Sequence, residues 1–108
     1  MNKRSNELSN IEWIKQPHRA LAVLRLMARQ PGTVSNDRVI SDYLDSVGLV
    51  STREELVGCL DRLEANELIT RRDVEKLIVV ELTLKGEEVA QGHGEADGVL
   101  RPSVDCPY

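Results

Sequence analysis

The chain has 108 residues, with 14 Lys plus Arg against 18 Asp plus Glu, two Cys, two His, one Trp, two Tyr and no Phe. At 41% hydrophobic and 30% charged residues it suits one small globular domain with a modest core, and it lies outside the disordered class. The longest apolar runs, 77–80 and 20–24, fall far short of the ~20 residues that span a bilayer, and no apolar leader follows Lys3 and Arg4. The sequence therefore predicts neither a membrane protein nor a secreted one. Cys59 and Cys106 form no disulfide framework, which points to a reducing cytoplasm. A formal charge of -4 opposes whole-molecule attraction to phosphate, so any nucleic-acid role must rest on a local patch.

Residues 1–16 form an N-terminal arm, polar apart from Leu8, Ile11, Trp13 and Ile14, and Ser9 with Glu12 has the spacing of a capping box. A short helix is expected there. Pro17 either kinks it or opens the next helix, placed at 17–29, with Leu21, Leu24 and Met27 inward and Val23 and Leu26 widening the stripe. Pro31-Gly32 ends that element, and Ser35-Asn36 offers caps for a second helix over 37–47 carrying Val39, Ile40, Tyr43, Leu44 and Val47, stopped by Gly48. Ser51/Glu54 and Thr52/Glu55 both have capping-box spacing, so a third helix is expected to about residue 65, with Leu56, Cys59, Leu60 and Leu63 buried.

Beyond Asn66 the period changes. Segments 68–72 and 77–82 are rich in β-branched residues and read as a hairpin turned at 73–76. Thr83 caps a short closing helix to about Ala90, weakened by Gly86. Residues 92–108 hold three glycines and two prolines and are expected to be a flexible tail.

The fold class is thus mainly α with a small β-hairpin: a three-helix core, a two-stranded wing and a closing helix, over residues 17–91. This order resembles a winged helix-turn-helix. The segment L-V-G-C-L-D-R-L-E-A-N-E-L-I at 56–69 is similar to the recognition-helix-to-wing stretch of ArsR-type and MarR-type regulators. The combination of R-L-M-A-R-Q-P-G near residue 30, S-T-R-E-E-L at 51, L-T-L-K-G-E-E-V-A-Q-G at 82 and G-V-L-R-P at 98 looks like small winged-helix proteins of Mu-like phages and prophages. That resemblance implies a prophage DNA-binding transcriptional regulator in the host cytoplasm, with helix three in the major groove and the hairpin beside it.

For a double-stranded DNA partner the candidate residues are Arg38, Arg53, Arg62 and the wing residues Arg71, Arg72 and Lys76, with Lys3 and Arg4 on the arm. Charges on Arg71 and Arg72 would equally protect a solvated strand edge. A second reading makes the winged helix a protein-interaction module for phage assembly or host-factor control. Residues 53–67 hold two arginines against five carboxylates, and the outward face of helix three comprises Glu54, Gly58, Asp61, Arg62 and Ala65. Glu54 and Glu55 also favour the helix dipole, an explanation Asp61 lacks. Gly58 either is tolerated or admits a neighbouring backbone. The protein-contact candidates are Glu54, Gly58, Asp61 and Trp13, and the Trp13 helix either packs back on the core or builds a homodimer. Segment 98–102 could serve as a docking peptide. Cys59 stands alone, His18 and His93 are isolated, and no nucleophile-base pair, phosphate loop or carboxylate pair is recognisable, so no metal, cofactor or enzymatic activity is expected.

Overall fold

The computed structural model describes the backbone from Lys3 onward and side chains from Asn10 onward. The side chains of Lys3, Arg4, Leu8 and Ser9, to which the sequence assigns roles, lie outside the described residues. The described residues form four helices and a small antiparallel sheet: α1 (Lys3–Ala28), β1 (Val34–Asn36), α2 (Asp37–Ser46), α3 (Arg53–Ala65), β2 (Ile69–Val74), β3 (Leu77–Leu82) and α4 (Leu84–Ala90). The strand order is β1-β3-β2.

The arm and the first core helix are one element. Pro17 lies inside α1, where its missing N–H and its ring normally weaken a helix by ~3 kcal/mol. Glu12, before the proline, and Arg19, after it, are joined across two turns: Arg19 Nη1 lies 2.5 Å from Glu12 Oε1. Arg19 is fully buried and also donates from Nε to Ser51 Oγ at 2.6 Å. This clamp ties both sides of Pro17 to the entry of α3. The sequence places a helix start at Ser9 and a break at 17; neither position is an end of α1.

Past Pro17, α1 is apolar nearly all round. Residues Ala20 to Leu24, Leu26 and Met27 are all buried, as befits a central helix touching α2, α3, α4 and β3. The two-stranded wing is corrected to a three-stranded sheet, because Val34–Asn36 pairs with β3 in the register Val34↔Glu81 to Asn36↔Val79. Asn36 serves twice, ending β1 and capping α2 by accepting from the Arg38 and Val39 N–H groups at 3.0 Å each. The hairpin turn is tighter than expected: β2 and β3 close at Val74↔Leu77, with Glu75 in the left-handed region at φ 56°.

Caps fall where residue chemistry puts them. Thr52 and Glu55 complete the capping box of α3, Thr83 caps α4, and Gly48 takes φ 76° after α2. Gly86 has a further reason to be glycine. A Cβ there would lie 2.1 Å from the Leu68 carbonyl oxygen and 2.7 Å from Leu82 Cδ1, so α4 packs directly against the backbone entering β2. After α4 the chain returns along α1. The Leu100 N–H donates to the Pro17 carbonyl at 3.0 Å, and Ala96, Val99 and Tyr108 pack against the core.

Candidate interaction surface

Helix α3 buries Leu56, Cys59, Leu60 and Leu63 and turns Glu54, Asp61, Arg62 and Ala65 to solvent, with Gly58 half-buried. Burial raises the Cys59 thiol to about 11, which keeps it protonated and inert at neutral pH.

Two of the candidate cations beside this face are held by carboxylates of the same chain. Arg53 Nη1 lies 2.5 Å from Asp37 Oδ2. Asp37 is buried at the start of α2 and accepts from the Ile78 N–H at 3.0 Å. Burial pushes the Asp37 carboxyl upward, but the Ile78 N–H and the Arg53 guanidinium outweigh it and leave the pKa below the ordinary 3.8. This site locks α2, α3 and β3 together. On β2, Arg71 turns inward to α3: its Nη2 lies 2.8 Å from Asp61 Oδ1 and 2.8 Å from Glu64 Oε1. Desolvation disfavours the Arg71 charge, yet these two carboxylates raise its pKa overall. The neighbouring Arg72 faces solvent, as strand alternation requires. Among the described residues Arg38, Arg62, Arg72 and Lys76 are exposed and have no ion-pair partner.

The first half of α1 carries a different surface. Ile11 is 52% exposed, Trp13 73% and Ile14 65%. Lys15 Nζ donates to the Val50 carbonyl at 2.5 Å on another side of this helix. Between Trp13, Pro17 and Ala20 of α1, Cys59, Arg62 and Leu63 of α3, and Asp97 to Val99 lies a cleft of about 500 Å³. Sequence reasoning reaches Trp13, Gly58 and Arg62 but not the cleft, whose third wall comes from a segment read as a tail. Arg19 was also missed. Its signal is a lone cation opening an apolar stretch, seven residues after an acid and thus on the same helix face.

Gly58 and Arg62 belong together. A Cβ on Gly58 would meet Arg62 Nη1 at 3.4 Å, an ordinary contact distance, which shows that the guanidinium lies back along α3 over this turn. A shallow depression there is bordered by Glu12, Gln16, Arg19, Glu54, Glu55, Gly58 and Arg62. Glu55 is held down to about 2 by the adjacent Glu12 side chain and by the Thr52 N–H, with the Arg19 charge adding to both, against the effect of burial. No helix among the described residues is long and apolar enough to cross a membrane.

No family model and no solved structure matches the chain. It is similar to a protein of Escherichia phage Mu designated uncharacterized protein gp26, with 32% identity over 84 residues that span 78% of this chain and 86% of the phage protein. At that identity, over most of both chains, the protein belongs to the family of this phage Mu protein.

Proposed function

We propose that the protein is a winged-helix module of phage type that works by docking on a protein partner. The element order α-β-α-α-β-β-α, with α3 leading straight into the β2-β3 hairpin, supports the winged-helix reading. The single observation that carries the docking role is the engagement of Arg53 by Asp37 and of Arg71 by Asp61 and Glu64. In a winged helix the corresponding face meets phosphates, and affinity comes mainly from cations displacing counterions. Here that face leaves Glu54 and Asp61 exposed while two arginines beside it are engaged internally. The reading includes no catalytic step.

The DNA-binding regulator is the second reading, favoured by Arg38, Arg62, Arg72 and Lys76, exposed candidate cations with no ion-pair partner among the described residues. Labelled protein titrated with mixed-sequence duplex DNA at ~20 mM salt separates the two, since weak electrostatic binding is most visible there. Docking on protein predicts a flat spectrum. Salt-sensitive shifts confined to α3, Arg38 and the wing would overturn it in favour of DNA.

A further inference from the structure

We infer that the cleft between the middle of α1 and α3 is a receptor site for a peptide segment of a partner protein, one presenting a bulky apolar side chain next to a carboxylate. This inference rests on the protein-docking reading and names the chemistry that such a partner must present.

Three observations carry it. The cleft, at about 500 Å³, lies within the ~300–1,000 Å³ typical of ligand sites, and a large apolar side chain fills only part of it. Its walls include Ala20, Leu63 and Cys59, which are buried, and Trp13, whose indole stands 73% exposed beside it. An aromatic ring so placed offers a flat apolar face that buries large area at little entropic loss, the usual chemistry of an interface anchor.

Charge fixes the rest. Arg19, Arg53 and Arg71 each have carboxylate partners within the chain. Arg62, on the cleft wall, has none among the described residues. Its guanidinium lies back along α3 beside Gly58, on the border between the cleft and the depression that also holds Glu12, Glu54 and Glu55. A guanidinium recognises a carboxylate with two parallel N–H donors, which makes an acidic residue its natural complement. Asp97 on the opposite wall disfavours a second acid and can accept from a peptide N–H. The preferred occupant is therefore one apolar residue with one neighbouring acid, and not a polyanion such as nucleic acid.

The probes are the blocked dipeptides acetyl-Leu-Glu-amide and acetyl-Leu-Gln-amide, titrated into ¹⁵N-labelled full-length protein. Trp13, the chain's single tryptophan, supplies both an indole N–H resonance and a fluorescence signal. Saturable shifts of Trp13, Arg62 and Val99 are expected, with the Glu probe binding at least fivefold tighter than the Gln probe. Arg62→Gln should abolish that preference. Ala65→Phe, at an exposed position bordering the cleft, should weaken both probes. Absence of saturable shifts at 20 mM probe, equal affinity for the two probes, or a dimer that dissociates on Trp13→Ala would each overturn the inference, the last by assigning the surface to a second copy. Failure of the docking reading shows separately, as shifts on α3, Arg38 and the wing when duplex DNA is added to the same sample.

Discussion

Arg71 of β2 donates from one guanidinium nitrogen to Asp61 and Glu64 of α3 at the same 2.8 Å, and its side chain is only 21% exposed. An arginine so engaged has its charge offset by two carboxylates, which weakens its attraction to a phosphate. Asp61→Asn together with Glu64→Gln releases it and removes two negative charges from the face. Duplex affinity absent from the wild-type protein at low salt should then emerge and fall with added salt, because Arg71 joins the exposed cations Arg38, Arg72 and Lys76. Fluorescence anisotropy with labelled duplex checks this. Equal DNA affinity in both proteins would contradict the role assigned to the pair.

Gly86 sits where helix and strand backbones meet. A methyl group at this position would overlap the Leu68 carbonyl oxygen at 2.1 Å, and a backbone atom cannot rotate aside. Although Ala is the better helix former by ~1 kcal/mol, Gly86→Ala should lower stability by ~2 kcal/mol or more, because α4 must move away from β2. Urea denaturation measures it.

That glycine shows where a one-dimensional reading stops. Periodicity and caps made α2, α3 and α4 legible, because Asn36, Thr52, Thr83 and Gly48 act within a turn of their own positions. The outward face of α3 was legible for the same reason. Strand β1 was not, since three residues carry no alternation and their partners Val79 to Glu81 lie over forty residues away. The continuity of α1 depends on Arg19 meeting Glu12 and Ser51, contacts that local rules about Pro17 do not include. Within the candidate surface, the residue types of Arg53, Arg71 and Asp61 were visible, but their pairing is a product of tertiary packing. Gly86 reads from sequence as a weak helix residue, whereas its cause is a long-range contact.

Arg19 is fully buried, while Glu12 and Glu55 keep 23% and 32% side-chain exposure. Removing one partner of a buried ion pair destabilises by ~3–5 kcal/mol. Because the two acids here can partly rehydrate, Arg19→Ala should lower stability by ~2 kcal/mol, discounted for that exposure. Arg19→Met, which retains volume, should be milder. Hydrogen exchange should quicken selectively in the part of α1 preceding Pro17, where the clamp and not the core holds the helix. Uniform acceleration along the whole of α1 would show that the clamp has no such local role.

Acid stability follows from two carboxyls with lowered pKa. Asp37 lies below 3.8 and Glu55 at about 2 against an ordinary 4.5. Above those ordinary values both groups are ionised in folded and unfolded chains, and their stabilisation is complete. As pH falls from 4.5 towards 2, the unfolded chain takes up protons that the folded chain refuses, so stability is lost in this window. Urea midpoints should be flat from pH 7 to 5 and fall below about 4.5. Glu55→Gln and Asp37→Asn should each flatten the decline. A wild-type midpoint unchanged down to pH 3 would show that neither carboxyl is coupled to folding as the contacts require.

The chain after α4 offers the last test. The Leu100 N–H reaches the Pro17 carbonyl at 3.0 Å, and Tyr108 is tied in at the other end. Its hydroxyl lies 2.8 Å from His18 Nδ1, and its backbone oxygen accepts from Arg29 Nη1 at 2.6 Å. Burial, followed by the neighbouring Cys106 and Tyr43, raises the Tyr108 pKa above the ordinary 10, so the hydroxyl stays protonated at neutral pH. The His18 and Tyr108 rings meet edge-on at 5.8 Å between centroids, a geometry worth ~0.5–1.5 kcal/mol beyond the area it buries. Exchange of the Leu100 amide should therefore be slowed at least tenfold relative to Asp105, whose N–H has no such carbonyl partner among the described residues. Tyr108→Ala should reduce that protection by about tenfold, corresponding to the upper end of the ring-pair energy. Intrinsic exchange at Leu100 in the wild-type protein would mean that segment 95–108 does not form a wall of the cleft in solution, and both the tail contacts and the site they border would have to be redrawn.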